Sequence, residues 1–178
     1  QLLNRLRLPF ETRSPGVDEA VLADEAPRTR AARLALAKAR AVALNLPDRV
    51  VIGSDQVAAC EGRILDKPGD AAQARVQLRH QSGRSVEFYS AVAVVCLQRG
   101  YCDQFLDLTT VRLRPLSEAE IEAYIRADEP FDCAGALRSE SLGVTLCECI
   151  ESDDPTGLIG LPLIRLSATL RACGYALP

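Results

Sequence analysis

A long hairpin-like segment limits the possible folds more than any other part of this sequence. It reads SVEFYSAVAVVCLQRGYCDQFLDLTTVRLRPL and extends from Ser85 to Leu116. Its β-branched and aromatic residues, with a turn signal near Arg99 and Gly100, predict two long strands joined by a turn. Strands and helical segments alternate irregularly around it. We therefore predict an α/β domain with a mixed central sheet flanked by helices, rather than a strictly parallel sheet.

The composition is that of a globular protein, with 178 residues of which 48% are hydrophobic and 25% are charged. This length suffices for one domain, or for one domain with a subsidiary lobe. The formal net charge of −3 argues against a dedicated nucleic-acid binder, which needs a basic face. No apolar run reaches the length of a membrane span, and the opening QLLNRLRLPF does not resemble a secretory leader. These features predict a cytoplasmic protein without nucleic-acid or membrane partners.

The seven cysteines are scattered through apolar segments, and their odd number favours reduced thiols in a cytosol. Cys147 and Cys149 form a C-x-C pair, but no second pair at zinc spacing accompanies them. His80 is the only histidine of the chain. We therefore interpret the cysteines as structural residues rather than metal ligands.

One segment, RAARLALAKARAVAL, is a strong helix former in the first third of the chain. Its apolar residues recur at helical spacing, which predicts an amphipathic helix. The predicted buried stripe consists of Leu34, Ala37, Ala41 and Leu44.

Other helices are predicted from their end signals. Asp70 followed by Gln73, and Ser117 followed by Glu120, have the spacing of capping boxes at helix N-termini. The segment GLPLIRLSATLRACG predicts a closing helix with Pro162 in its first turn. The segment LGVTLCECIES predicts a further strand before that helix.

The stretch VVIGSDQVAACEGRILDKP places a carboxylate, Asp55, in a run that otherwise predicts a buried strand. We expect Asp55 at the carboxyl end of that strand, where a carboxylate is rigidly held. The stretch ends with Lys67, followed by Pro68, which stiffens the backbone. Considered alone, Asp55 is equally well explained as a residue that ends a strand, and Lys67 is more typical of an ordinary turn residue.

Several short motifs together resemble one known family. In chain order they are IGSDQV, LDKPGD, QSGR, LSEAEIEAYI, CAGALRSESLG and GLIGLPL. This order is similar to that of the Maf family of nucleoside triphosphate pyrophosphatases. SDQV in place of ADTV, together with Glu140, resembles its YceF-type branch, which acts on 7-methyl-GTP. The resemblance implies a fold like that of the ITP pyrophosphatases, with two lobes and a cleft, and hydrolysis to a monophosphate and pyrophosphate.

The resemblance also assigns roles to individual residues. The catalytic carboxylate of the family falls on Asp55, which with the acidic loop residue Glu19 would bind a divalent metal, Mg²⁺ or Mn²⁺. The two phosphate-binding lysines fall on Lys38 and Lys67. The two positions linked to base choice fall on Gln56 and Glu140. The family further implies a homodimer.

These residue types suit the chemistry that the resemblance implies. Phosphoryl transfer depends mostly on positioning and electrostatics. Hard divalent cations prefer oxygen ligands, and lysines are point charges suited to phosphate oxygens. A carboxylate at Glu140 can accept the N–H groups of guanine and favours the positive ring of 7-methylguanine. Considered singly, Lys38 is more typical of a solvent-facing lysine, and Glu19 and Glu140 of solvated loop glutamates.

The chain departs from the family pattern in three places. Family members open with a strand and a Ser/Thr-Ser-Pro-x-Arg-Arg phosphate loop, and this sequence begins just after that loop. We therefore treat residues 1–178 as a single Maf-like domain without its opening segment. Ser141 replaces a usual Gly, and the hairpin reads YSAV where a Thr-Gly is common.

Two other functions compete with hydrolysis of 7-methyl-GTP. The first is the same reaction on dTTP, UTP or another modified nucleotide, against which Gln56 and Glu140 argue. The second is a nucleotide-binding regulatory protein with little turnover. Binding without hydrolysis would distinguish that second function from either enzyme.

Overall fold

A computed structural model describes residues 2–178 of the chain, which form a five-stranded sheet and four α-helices. The strands are β1 (Val51–Cys60), β2 (Arg63–Leu65), β3 (Ser85–Cys96), β4 (Tyr101–Leu113) and β5 (Cys147–Glu151). The helices are α1 (Pro27–Ala43), α2 (Ala71–Gln81), α3 (Glu118–Asp128) and α4 (Leu163–Ala172). Short 3₁₀ turns cover Leu2–Leu6, Leu97–Arg99, Ala134–Ala136 and Leu142–Leu146. The predicted α/β class is confirmed.

The sheet has the strand order β2-β1-β3-β4-β5. β1 pairs with β2, and β4 with β5, in antiparallel register. The predicted hairpin is β3 and β4, joined by the turn Leu97–Arg99 and by Gly100 at φ 60°. β3 is buried continuously from Ser90 to Cys96, because its central position leaves both faces covered.

The chain divides into two compact units. The first contains residues 1–56, 90–107 and 154–178, and the second contains residues 57–89 and 108–153. In the first unit, alternate residues of β3 enter two clusters. Val92 and Val94 pack with the α4 residues Leu163, Leu166 and Leu170. The other cluster joins β1, α1 and β3, and it contains Val51, Ala39, Ala43, Ala93 and Val95.

Helix α1 forms as predicted, but of its predicted stripe only Leu34 is buried, whereas Ala37 and Ala41 are half-buried. The buried residues are Ala31, Leu34, Ala35, Ala39 and Ala43. Leu44, predicted to be buried, is 73% exposed. The reason is the close approach of α1 to β1, which places small residues rather than leucines against the strand.

The close approach depends on Gly53 of β1. A Cβ at this position would lie 2.5 Å from the backbone nitrogen of Ala39 and closer still to the carbonyl oxygen of Ala35. A glycine is therefore required here for steric reasons, because only a strand residue without a side chain can lie this close to a helix backbone.

The second unit contains the capped helices α2 and α3. Asp70 accepts a hydrogen bond of 2.8 Å from the backbone nitrogen of Gln73, as predicted. Ser117 and Glu120 form the predicted capping box at the start of α3. The predicted strand in LGVTLCECIES is shorter than expected, because Leu142–Leu146 form a 3₁₀ turn before β5.

Two further observations concern cysteines and membranes. All seven cysteines lie within residues 2–178 and are free thiols. Cys147 and Cys149 occupy alternate positions of β5, which place them on one face, and both are partly buried. None of the helices between residues 2 and 178 is long and apolar enough to cross a membrane.

Candidate active site

Asp55 lies within β1, and its side chain is 10% exposed. The expected position of Asp55 at the carboxyl end of its strand is wrong, because β1 continues to Cys60. The continuation is stabilised by a tight hairpin with β2, in which Glu61 and Gly62 have φ values of 51° and 78°. Asp55 is therefore held by strand backbone on both sides, which restricts its position more than a strand end would.

Lys38 of α1 contacts this carboxylate directly. Its ammonium nitrogen Nζ lies 2.7 Å from Oδ1 of Asp55 and 2.8 Å from Oε1 of Glu19. Its side chain is 20% exposed, so the solvent-facing interpretation of this lysine is wrong. The close packing of α1 on β1 at Gly53 explains why a lysine of the helix reaches a strand carboxylate.

The loop that carries Glu19 is tied to α1 by an arginine. Nε and Nη2 of Arg33 donate to the two carboxylate oxygens of Glu25, at 2.6 and 2.7 Å. A further hydrogen bond of 3.2 Å joins Arg33 to the carbonyl of Ala20. This bidentate contact holds the loop beside the helix, so Glu19 is positioned by structure and not only by charge.

The electrostatics of the pair reflect burial and mutual attraction. Burial raises the pKa of Asp55, and the hydrogen bond from Lys38 lowers it only in part, so the pKa is above its ordinary value. Burial lowers the pKa of Lys38, but the hydrogen bonds to Asp55 and Glu19 outweigh it and raise the pKa overall. The lysine stays charged at neutral pH, whereas the carboxylate loses its proton at a higher pH than an exposed aspartate does.

The raised pKa of Asp55 predicts a shifted acid limb of activity. If ionised Asp55 is required, kcat/KM falls as pH decreases through a pKa above the ordinary aspartate value. Lys38→Met removes the cation that lowers this pKa, so we expect the acid limb to move to higher pH. The measurement is kcat/KM against pH for both proteins.

Arg40→Ala is the control for that experiment, because Arg40 is an exposed cation of the same helix. It should leave the acid limb in place. The free energy of unfolding gives a second test. Because the pKa of Asp55 is raised in the folded protein, its carboxyl group stabilises the fold at pH values below its unfolded pKa. This contribution is lost as the pH rises through the folded pKa. An acid limb that is identical in Lys38→Met and the unchanged protein would contradict the assignment to Asp55.

Gln56 follows Asp55 and is held by a loop near the end of the chain. Its amide nitrogen Nε2 donates to Oγ of Ser90 at 2.8 Å and to the carbonyls of Gly157 and Leu158 at 3.2 and 3.0 Å. Ser54, on the other side of Asp55, donates to the carbonyl of Gly160 at 2.7 Å.

The loop is in turn held by a buried carboxylate. Asp154 accepts hydrogen bonds from the backbone and hydroxyl of Thr156, at 2.9 and 2.6 Å, and from the backbone nitrogen of Ile164, at 2.6 Å. These contacts cap α4 and close the loop. The sequence reasoning missed Asp154, Thr156 and Ser90, although the segment DDPTG before a helix has the residue types of a capping motif.

Lys67 and Glu140, the other two predicted site residues, belong to the second unit. Lys67 lines a cavity of about 270 Å³ together with Gln77 and His80. Glu140 is exposed, and Oγ of Ser139 lies 3.4 Å from its carboxylate. The first unit thus brings together Glu19, Lys38, Asp55 and Gln56.

The loop that carries Glu140 is braced on both sides. Arg138 donates to the carbonyl of Asp128 at 2.6 Å and to the carboxylate of Asp132 at 2.8 Å. The hydroxyl of Ser141, a departure from the family pattern, donates to the carboxylate of Asp128 at 2.6 Å. These three contacts fix the backbone next to Glu140 and leave its carboxylate exposed.

The site supplies only part of the ligand set of a metal ion, and water and substrate would have to supply the rest. Within residues 2–178 no group of three or more His, Cys, Asp or Glu side chains is arranged to hold a metal ion. Asp55 and Glu19 nevertheless approach a single cation, the Lys38 ammonium. Two carboxylates fit Mg²⁺, which binds one or two protein carboxylates and completes its shell with water and substrate phosphates.

Comparison with known proteins identifies the family. A family model described as Maf-like protein matches residues 1–173. This chain belongs to the Maf family. Its similarity to individual Maf proteins is also high. A protein named 7-methyl-GTP pyrophosphatase from Albidiferax ferrireducens is 52% identical over 174 residues, 98% of this chain and 87% of the relative.

Two further relatives have the same name. The protein from Polaromonas sp. is 54% identical over 177 residues, which cover 99% of this Maf chain and 81% of the relative. The protein from Xanthomonas campestris pv. campestris is 50% identical over 178 residues, which cover 100% of the chain and 92% of the relative.

Proposed function

We propose that this Maf protein hydrolyses 7-methyl-GTP to 7-methyl-GMP and pyrophosphate. The observation that carries the proposal is the buried carboxylate of Asp55, held on β1 and bonded to Lys38, which also contacts Glu19. The names of relatives at 50% to 54% identity support the choice of substrate.

The three residues have complementary roles in breaking the bond between the α- and β-phosphates. Asp55, once ionised, accepts a proton from the attacking water or orients it. The Lys38 ammonium has three N–H donors. Two of them are directed at Asp55 and Glu19, which leaves one for a phosphate oxygen. A divalent cation held by Asp55 and Glu19 would supply Lewis-acid stabilisation of the phosphate charge.

Lys67 and Glu140, which belong to the second unit, have further roles in the proposal. Lys67 is an additional cation for phosphate oxygens, and Glu140 is an exposed acceptor for the N–H groups of the base. Methylation at N7 gives the ring a positive charge, which an exposed carboxylate favours. Gln56, the residue after Asp55 on β1, contributes to the choice of base through an amide nitrogen held by the loop at Gly157 and Leu158. The YceF-type branch, a divalent metal, a cytoplasmic location and a homodimer stay predictions.

The charge argument predicts the effect of Glu140→Gln. The substitution preserves size and removes the negative charge, so it should reduce selectivity for 7-methyl-GTP over GTP by about fivefold, which corresponds to the roughly 1 kcal/mol attraction between two solvated unit charges about 4 Å apart. The measurement is kcat/KM for both substrates. Glu148→Gln, at an exposed glutamate of β5 paired with Arg112, should leave the ratio unchanged. An unchanged ratio in Glu140→Gln would show that the charge of Glu140 does not select the methylated base.

The experiment that tests the function is release of pyrophosphate from 7-methyl-GTP, GTP, dTTP and UTP with Mg²⁺ or Mn²⁺. We would assay residues 1–178 and the same chain preceded by the opening strand and phosphate loop of the family. Selective turnover of 7-methyl-GTP would support the proposal. Preference for dTTP or UTP would retain the reaction and change the substrate. Tight nucleotide binding without turnover by either protein would favour a regulatory nucleotide-binding role.

A further inference from the structure

The Lys38 ammonium lies between the two carboxylates of the candidate site. Its Nζ is 2.7 Å from Oδ1 of Asp55 and 2.8 Å from Oε1 of Glu19. The same two carboxylates are the oxygen donors of this site that fit a hard divalent cation. Lys38 and a metal ion would therefore have the same two partners.

The charges of these three residues show why the two cations compete. Asp55 and Glu19 together carry two negative charges when ionised, and the charge of Lys38 compensates one, which leaves a net charge of −1 for an arriving divalent ion. That ion is also repelled by the ammonium itself, because like charges close together in a partly buried site are only weakly screened.

Burial decides which of the two carboxylates matters more. The side chains of Lys38 and Asp55 are 20% and 10% exposed, whereas that of Glu19 is 55% exposed. Charges that are mostly shielded from water interact more strongly than exposed ones, whose pairing often contributes little. The contact between Lys38 and Asp55 is therefore the main one against which a metal ion has to compete.

The phosphates of a nucleotide would change this balance. They carry several negative charges, so they supply ligands for a divalent ion and also an acceptor for the ammonium. Lys38 can then exchange part of its contact with Asp55 for a phosphate oxygen. The carboxylate that it releases becomes a better ligand for the metal.

We infer that Lys38 is a resident counter-cation that keeps a free divalent ion from Asp55 and Glu19, so that metal and nucleotide bind the site together. The inference rests on the proposed function for its ligands, a nucleoside triphosphate and a divalent metal. It gives Lys38 a second role besides the binding of phosphate oxygens. Because binding linkage is reciprocal, the metal should strengthen nucleotide binding by the same factor by which the nucleotide strengthens metal binding.

The test measures metal binding without turnover. The affinity for Mn²⁺ alone is measured at neutral pH by electron paramagnetic resonance, which reports the free ion. Lys38→Met should tighten Mn²⁺ binding by at least about tenfold, because even in water the repulsion between an ammonium and a divalent ion about 4 Å apart is of that size. Lys38→Arg retains the charge, so it should gain far less affinity than Lys38→Met.

Two further substitutions locate the effect. Arg40→Met removes the same charge from an exposed position of α1, where solvent screens it, and should change the affinity by less than about twofold. Asp55→Asn should abolish the gain, so the protein with both Lys38→Met and Asp55→Asn should bind Mn²⁺ no more tightly than Asp55→Asn alone. This comparison separates binding at the site from binding to acidic groups elsewhere.

A nucleotide analogue tests the coupling in the unchanged protein as well. The α,β-methylene analogue of 7-methyl-GTP blocks cleavage between the α- and β-phosphates. At saturation it should raise the Mn²⁺ affinity of the unchanged protein above that of the analogue in solution, and that of Lys38→Met by a smaller factor. The unchanged protein and Lys38→Arg still decide the matter if Lys38→Met does not fold, because Lys38→Met leaves a mostly buried carboxylate unpaired.

Three results would overturn the inference. One is an equal Mn²⁺ affinity of the unchanged protein, Lys38→Arg and Lys38→Met. Another is Mn²⁺ binding to the unchanged protein that is as tight without the analogue as with it. The third is a gain from Lys38→Met that persists when Asp55→Asn is added.

Failure of this inference is distinguishable from failure of the proposed function. A protein that releases no pyrophosphate but shows the expected Mn²⁺ affinities would lack the proposed reaction and keep the inference. A protein that hydrolyses 7-methyl-GTP while Lys38→Met binds Mn²⁺ no more tightly than the unchanged protein would keep the reaction and lose the inference.

Discussion

Asp55→Asn is expected to reduce kcat for pyrophosphate release from 7-methyl-GTP by about 10²- to 10⁴-fold, the usual contribution of a positioned acid or base. Asparagine has the size of aspartate and lacks the charge that activates water. The neutral side chain also avoids the burial cost that raises the pKa of Asp55, so the variant should fold. We would measure kcat and KM together with the temperature of unfolding.

The matched control is Asp103→Asn. Asp103 is also a strand aspartate of the first unit, and it accepts a hydrogen bond of 2.9 Å from the hydroxyl of Thr169 on α4. It has no part in the proposed reaction, so kcat should be unchanged. If both variants lose activity equally, or if Asp55→Asn retains full kcat, Asp55 does not have the proposed role.

Gly53→Ala is expected to cause the largest loss of stability, about 3 kcal/mol in the free energy of unfolding, as for a severely overpacked core site. The new Cβ would lie 2.5 Å from the backbone nitrogen of Ala39 and 2.9 Å from its Cβ. A side-chain rotation cannot relieve a contact with helix backbone, so α1 must move away from β1. Lys38 precedes Ala39, so this movement should also weaken its contact with Asp55 and lower kcat in the folded fraction.

Gly16→Ala separates steric overlap from the general effect of replacing glycine. Gly16 has φ +58°, and a Cβ there would have no neighbour within 4 Å. Its replacement should therefore cost only the strain of a left-handed alanine, about 1 kcal/mol. Chemical denaturation of both variants measures the difference. Similar losses for the two substitutions would show that the approach of α1 to β1 does not require Gly53.

The local elements were largely predictable because their signals lie within a few residues. The cap at Asp70 and the capping box at Ser117 formed as predicted, and the turn at Gly100 joined the two long strands. The capping contacts are hydrogen bonds between residues three positions apart, and the strand pattern has a period of two. Neither requires knowledge of what packs against the element.

The buried stripe of α1 was predicted less well because it depends on a partner. Helical periodicity identifies a stripe of apolar residues, but α1 is rich in alanine on several sides. Gly53 selects the stripe that contains Ala35 and Ala39, since only small residues fit against a strand so near. The choice between neighbouring stripes was therefore made by the β1 backbone.

The sequence by itself determined the α/β class, the caps and turns, and the residue types at the site, from Glu19 and Lys38 to Asp55 and Gln56. Only the tertiary structure decided that Lys38 contacts both carboxylates and that a loop near the end of the chain holds the amide nitrogen of Gln56. The physical reason is chain separation. Lys38 and Asp55 are 17 positions apart, and Gln56 and Gly157 are 101 apart, so their contacts depend on packing that no local pattern encodes.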